Sequence, residues 1–208
     1  QELGSLLQDI PAARMFDEVL KLFMGGYALA SYDVLQDFQL FGQLFPATQR
    51  TIHQGDEAAS RFLEQMFRNT DDRIHQGKPV TPAFLYGSLL WPAIRQHREA
   101  LLRQGQPPVP ALQQAGIAAM EHQQQHTSIP RRFGTPMREI WDLQYRLENP
   151  RGRKALQLLE HPRFRAAYDF LLLREHAGEA TEGMAQWWTH LQEATEEEQS
   201  QLISQLAP

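Results

Sequence analysis

The stretch LLEHPRFRAAYDFLLLR, running from Leu158 to Arg174, constrains the fold more than any other part of the chain. On a helical wheel Phe164, Ala167, Tyr168, Leu171 and Leu172 form one apolar stripe, while Ala166, Phe170 and Leu173 cover most of the opposite side. A helix that is apolar almost all the way round is stable only when other elements surround it. Its narrow polar strip holds Arg165 and Asp169, four residues apart and able to pair along the helix for a few tenths of a kcal/mol.

The rest of the chain can supply those surroundings as helices. Apolar residues recur at three- and four-residue spacing, Gly and Pro punctuate them, and strand-like alternation is nearly absent. The fold is therefore predicted to be all-α, a two-lobed helical array. Helices are predicted over 11–24, 29–38, 57–75, 82–104, 110–127, 136–148, 151–161, 163–176 and 183–206, the last with a break near Ala194. RQGQPPVP is the clearest internal loop, and TSIPRRFGTP is the expected boundary between the lobes.

With 208 residues, 42% of them hydrophobic, the chain can bury a sizeable core. It has no Cys, which excludes disulfides, thiolate metal sites and cysteine nucleophiles and suits a reducing cytoplasm. No apolar run approaches the roughly 20 residues of a membrane span, and no basic-then-apolar leader opens the chain. A cytoplasmic protein without membrane contact is the expectation. The chain begins with Gln1, its first Met being Met15, as expected of a fragment.

The net charge of -5 conceals an uneven distribution. Residues 1–130 carry 10 Lys and Arg against 13 Asp and Glu; residues 131–174 carry 10 against 5; residues 175–208 carry none against 7. A basic block followed by an acidic tail points to a polyanionic partner.

Within the block, three predicted helices begin with Pro and then a cation. Pro162 is followed by Arg163 and Arg165; Pro150, after a capping Asn149, by Arg151, Arg153 and Lys154; Pro136, after a capping Thr135, by Arg138. The start of a helix carries the positive end of its dipole, so each cation there costs about 0.3 to 1 kcal/mol. Two readings remain open. Converging helix starts, joined by Arg131 and Arg132 of IPRRF, would form a groove for a phosphate backbone. Phe133, Trp141, Tyr145 and Tyr168 could then stack on unpaired bases, although their spacing fits core packing better. Alternatively, the arginines pair with Glu139, Asp142, Glu148, Glu160, Asp169 or the acidic tail and fasten helices together.

No catalytic or metal site is predicted. EHQQQH places His122 and His126 one turn apart, but it lacks the glutamate of a zinc peptidase and a third ligand, and a solvated helix face is the expectation. Asp71 and Asp72 of NTDDRIH are expected to end a helix and pair with Arg73. Clustered carboxylates for two-metal nucleotidyl transfer, a Gly-rich phosphate loop and a nucleophile triad are all lacking.

The segments LLQDIPAARMFDEVLKLFMGG, LFP, NTDDRIHQGKPVTPAFLYGSLLWP, IPRRF, IWDLQYRL and LLEHPRFRAAYDFLLLR, in this order and spacing, closely resemble the C-terminal two thirds or so of the bacterial poly(A) polymerases. Those enzymes belong to the nucleotidyltransferase superfamily shared with the CCA-adding enzymes. The resemblance implies a parent enzyme that adds adenylates from ATP to RNA 3′ ends with Mg²⁺, in an N-terminal head domain that this chain lacks. No cofactor is then expected in this chain itself, which alone is expected to be inactive.

The same resemblance divides the chain into the end of a neck (residues 1–28), a helical body (29–128) and a helical leg (129–208) with the basic block and acidic tail. Arg14, Phe16, Glu18 and Lys21 match the neck pattern and are expected to brace the head. That family segment is described as a probable site for RNA and for a DEAD-box RNA helicase. The RNA contacts expected in the leg are Arg131, Arg132, Arg138, Arg151, Arg153, Lys154, Arg163 and Arg165. One departure is that the family often ends in an arginine-rich tail, whereas this chain stops at EATEEEQSQLISQLAP. The competing expectation is a helical scaffold that docks the head or a helicase through the same arginines.

Overall fold

A computed structural model describes residues 10–206. The described residues form twelve α-helices and no strand, so the all-α expectation holds. In chain order they are α1 (Ala12–Phe23), α2 (Ala28–Asp37), α3 (Phe41–Leu44), α4 (Pro46–His53), α5 (Glu57–His75), α6 (Pro82–Arg103), α7 (Pro108–Gln123), α8 (Arg131–Glu148), α9 (Lys154–Leu159), α10 (Phe164–His176), α11 (Met184–Glu193) and α12 (Glu196–Ser204). The predicted set lacks α3 and α4. These are short, and Phe45–Pro46 between them reads as a break; Pro46 in fact opens α4 as its first residue.

Two apolar cores account for the composition of α10. The larger gathers Phe16, Phe23, Phe41, Phe67, Tyr86, Trp91 and Trp141; the smaller gathers Leu147, Leu158, Phe164, Tyr168, Trp188 and Leu191. α10 gives Phe170 and Leu173 to the first and Phe164, Ala167 and Leu171 to the second. A helix between two cores must be apolar on two opposite sides, which answers why LLEHPRFRAAYDFLLLR is so uniformly oily. α8 is shared likewise, through Met137, Ile140 and Trp141 on one side and Leu143 and Leu147 on the other.

α6 is the other central helix, with every residue from Leu85 to Pro92 buried. Pro92 lies inside it and lacks the amide that would bond the preceding turn. The buried Thr48 hydroxyl donates to the Leu89 carbonyl in that turn at 2.7 Å and ties α4 to α6.

Asp71 does not end a helix, because α5 continues to His75. Its carboxylate instead accepts from the amides of Ala28 at 2.6 Å and Leu29 at 3.1 Å, capping α2, which has no capping side chain of its own. Arg73 donates to the Pro79 carbonyl and pairs with neither aspartate.

His122 and His126 are half-buried and stacked, ring centroids 5.3 Å apart, not on a fully solvated face. Burial, and then the neighbouring His122, push the His126 pKa below its ordinary 6.5. The unfolded chain therefore takes up a proton that the folded one resists, so stability is lost as pH falls from 6.5 through the depressed folded value. Replacing His126 with Gln is expected to flatten the fall in melting temperature between pH 7.5 and pH 5. Equal slopes for both proteins in thermal unfolding would show that His126 carries none of it.

Candidate nucleic-acid interface

The helix starts of the basic block are cationic, but not all at the expected residues. α8 begins at Arg131, with Pro130 in the capping position, and runs through Thr135 and Pro136. Arg131 and Arg132 thus occupy its first turn, and Arg138 lies further along. The extension buries Gly134 and Met137, while the chain before it is fixed by Ser128 N donating to the Ala12 carbonyl at 2.8 Å.

α9 begins at Lys154 rather than at Pro150. Asn149 does not cap α9; its side-chain amide and its backbone N–H both donate to the Tyr145 carbonyl and close α8. Gly152 takes φ 43° in the turn between, a left-handed value that side chains disfavour. α10 begins at Phe164, with Arg163 in the capping position and Arg165 in the first turn. None of the three helices has an acidic residue in its first turn. The conflict with the dipole persists, α8 contributing it through Arg131 and Arg132 in place of Arg138.

The three starts do not converge. Glu139 meets Arg163 at 2.9 Å, Gln144 donates to the Ala167 carbonyl at 3.1 Å, and Glu148 pairs with Arg174. These contacts advance together along both chains, so α8 and α10 run side by side in the same direction. At about 1.5 Å per residue, α8 is about 26 Å long from Arg131 to Glu148. Arg131 and Arg132 stand at one end of it, Arg163 beside its middle, and Arg151, Arg153 and Lys154 beyond its far end. The cations are strung out along the length of α8 and do not cluster.

All eight are exposed. Arg163 pairs with Glu139, and Arg165 pairs with Asp169 at 3.0 Å, as their four-residue spacing predicts. Arg131, Arg132, Arg138, Arg151, Arg153 and Lys154 make no ion pair with a described carboxylate; Arg132 lies over the Phe133 ring at 4.8 Å. Arg146 extends the exposed side of α8 that carries Arg131 and Arg138. Its place in IWDLQYRL suggests no helix start, so a search for cationic helix starts does not find it.

The pairing reading fits Arg163 and Arg165, and a further arginine outside the helix starts, Arg174, is paired in the core. The buried Arg174 donates to Glu179 at 2.8 Å and to Gln144 at 3.1 Å, pairs with Glu148, and lies 4.7 Å over the Trp91 ring. Burial opposes its charge, but Glu179 and Glu148 outweigh it and hold its pKa above the ordinary value. Arg95 bridges Asp56 and Glu179, and Arg98 meets Glu148 at 3.6 Å, so one charge network joins α5, α6, α8 and α10. The acidic tail does not reach the basic block: Glu198 completes a capping box with Thr195, and Glu196 and Glu197 join it in the first turn of α12, where the dipole favours them.

The aromatic residues follow the packing reading. Trp141 is 2% exposed with its indole N–H donating to the Gly87 carbonyl, Tyr168 is 6% exposed, and Phe133 stacks on Phe16. Phe16 is also core, its ring 4.8 Å from that of Tyr86, so it cannot brace an outside domain. Arg14 and Lys21 face solvent, and Lys21 pairs with the half-buried Glu18 at 2.8 Å.

Between α5, the segment before α6, and α10 lies a groove of about 510 Å³. Met66, Phe84, Leu172 and Leu173 line it, with Arg73, Arg163 and Arg165 among its polar walls. Among the described residues no three His, Cys, Asp or Glu side chains gather to hold a metal ion. No helix among them is long and apolar enough to cross a membrane.

Residues 104–208 match the family model described as the polymerase A arginine-rich C-terminus, and residues 1–51 match that of the probable RNA and SrmB-binding site of polymerase A. The chain is 36% identical, over 98% of its length, to poly(A) polymerase I of Escherichia coli O6:H1 and of Salmonella typhi. It is 34% identical over 99% of its length to poly(A) polymerase I of Haemophilus influenzae. It spans 45% of the first two and 46% of the third, less than the two thirds expected. The matched region reaches the glutamate-rich end of the chain, and its arginines lie upstream, along α8 and around α9 and α10. On these matches the chain belongs to the polymerase A family, with residues 104–208 matching its arginine-rich C-terminus.

Proposed function

We propose that this region holds single-stranded RNA along the basic block of α8, α9 and α10, as the RNA-binding part of a cytoplasmic poly(A) polymerase. In that reading the ATP- and Mg²⁺-dependent transfer of adenylate belongs to a head domain outside this chain, and residues 1–28, 29–128 and 129–208 act as neck end, body and leg. The observation that carries it is the set of six exposed cations without a described carboxylate partner, two of them opening α8 and one opening α9. Such placement is unfavourable for the isolated helix and favourable once phosphate arrives.

Binding of a labelled single-stranded RNA across a salt series tests this. Engagement of all six cations gives a slope of log affinity against log salt of about -4. Replacing Arg151, Arg153 and Lys154 together by Gln is expected to reduce that slope by about 2, whatever the RNA sequence. Stability should stay within about 0.5 kcal/mol, because these side chains are exposed and lack partners. Absence of binding at low salt overturns the reading. A marked drop in melting temperature would show instead that the three residues hold the fold. With ATP, Mg²⁺ and an RNA primer this chain alone should extend nothing.

A second reading, protein docking, has its own observation. Tyr27, Val34 and Phe38 are 71%, 53% and 63% exposed and fall on one side of α2 at seven- and four-residue spacing. They lie in the segment matched to the RNA and SrmB-binding description. The head domain, with Arg14, Glu18 and Lys21 as bracing contacts, or a DEAD-box helicase is the proposed occupant. Copurification with the separately expressed head domain, lost on V34D, tests it.

A further inference from the structure

We infer that the groove between α5 and α10 takes one unpaired base of the RNA strand, with the adjoining phosphates on Arg163 and Arg73. This rests on the RNA-holding reading above and adds a place where a base, not only the backbone, is gripped. The groove runs along α10 from Pro162 to His176, and two of the exposed cations at the start of that helix, Arg163 and Arg165, stand at its edge.

Its chemistry suits a base better than a bare anion. The floor is apolar, formed by the buried Met66 and Leu173 and the half-buried Phe84 and Leu172. A volume of about 510 Å³ lies within the range of small-molecule sites, which runs from roughly 300 to 1,000 Å³. Asn69 lines the groove with its carbonyl oxygen accepting from Gln65 at 2.8 Å. Its two amide hydrogens have no described acceptor, so they can donate to the acceptors on a base edge.

The rim is suited to phosphate. Arg163 donates Nε to Glu139, and its terminal nitrogens donate no hydrogen bond to a described carboxylate. Arg73 faces the groove from the other wall, donating Nε and Nη2 to the Pro79 carbonyl and pairing with no described carboxylate. Of the two carboxylates at the groove, Asp169 is already matched by Arg165, which leaves Asp72. A free phosphate ion would meet Asp72 and an apolar floor. A nucleotide unit satisfies floor and rim together.

The test compares a short oligoadenylate with an oligomer of the same length and phosphate count whose bases are replaced by abasic units. The wild-type chain should bind the abasic oligomer about 5- to 150-fold more weakly, the range expected from removing one gripped base. A166L, which projects a larger side chain from the α10 wall, and N69L, which removes the amide donors, should each shrink that ratio toward one while leaving the salt slope of the abasic oligomer unchanged. Two variants on different walls guard against a folding defect in either, and thermal unfolding of both checks it. Salt-sensitive binding with equal affinity for the two oligomers overturns the base site and leaves the RNA-holding reading intact. Survival of the ratio in both variants overturns the base site as well. No binding of either oligomer at low salt overturns both readings.

Discussion

Replacing Arg174 with Ala is expected to destabilise the fold by about 3 to 5 kcal/mol, the cost of leaving buried partners of an ion pair uncompensated. Its side chain is 4% exposed, and Glu179, at 5%, would be left with the longer Arg95 contact at 3.8 Å and the Trp91 indole N–H at 2.8 Å. The truncation also strips Gln144 and Glu148 of a donor and exposes the face of Trp91 to a void. In a chain of this size each kcal/mol moves the midpoint by roughly 2 to 4 °C, so the drop should lie between roughly 6 and 20 °C. Arg174→Lys should recover only part of it, because one ammonium cannot serve Glu179, Gln144 and Glu148 together. Arg165→Gln is the matched control: the Arg165–Asp169 pair is exposed on the Arg side, and its loss should cost about 0.5 kcal/mol or less. Chemical denaturation of the three proteins gives the comparison. A cost below about 1 kcal/mol for Arg174→Ala would mean that water reaches and solvates the network.

That network also shows where sequence reading stops. The all-round apolar helix, the Arg165–Asp169 pair, the break near Ala194 and the cationic helix starts are all legible, because each depends on residues within a few positions of one another. Asp71 capping α2 from α5 is not, since the two segments are more than forty residues apart. Pro136 reads as a first residue because proline favours that place, yet Pro130 six residues earlier serves as the cap and the burial of Gly134 and Met137 pulls the intervening chain into helix. Convergence of the three helix starts is an expectation from their shared chemistry alone. Their true spacing follows from α8 and α10 packing in parallel, which no local pattern encodes. Arg174 is visible as a cation in an oily helix, but its partners come from α6, α8 and the turn after α10, and charge spacing names none of them.

The choice between base stacking and packing for the aromatics can be decided at Trp141, and the expected result is a loss of stability. Trp141→Ala should cost about 3 to 5 kcal/mol, the usual range for removing a large buried aromatic. The indole lies where α6, α7 and α8 cross, and two glycines make room for it. A Cβ on Gly116 would sit 3.2 Å from the indole Cε3, tighter than most real contacts, and one on Gly87 would sit 3.5 Å from Nε1. Truncation therefore removes contacts on two neighbouring helices at once and leaves the Gly87 carbonyl without its 3.1 Å donor. Trp141→Phe keeps most of the area but not the hydrogen bond, so it should fall between wild type and Trp141→Ala. RNA affinity measured well below the melting point of each variant separates the roles. A packing residue changes stability and leaves affinity nearly unchanged, whereas a stacking platform at 2% exposure would have to open before it could touch a base. If Trp141→Ala lost RNA binding while keeping its unfolding midpoint, the core of the body would have to open when it binds, and the basic block along α8 would not be the whole interface.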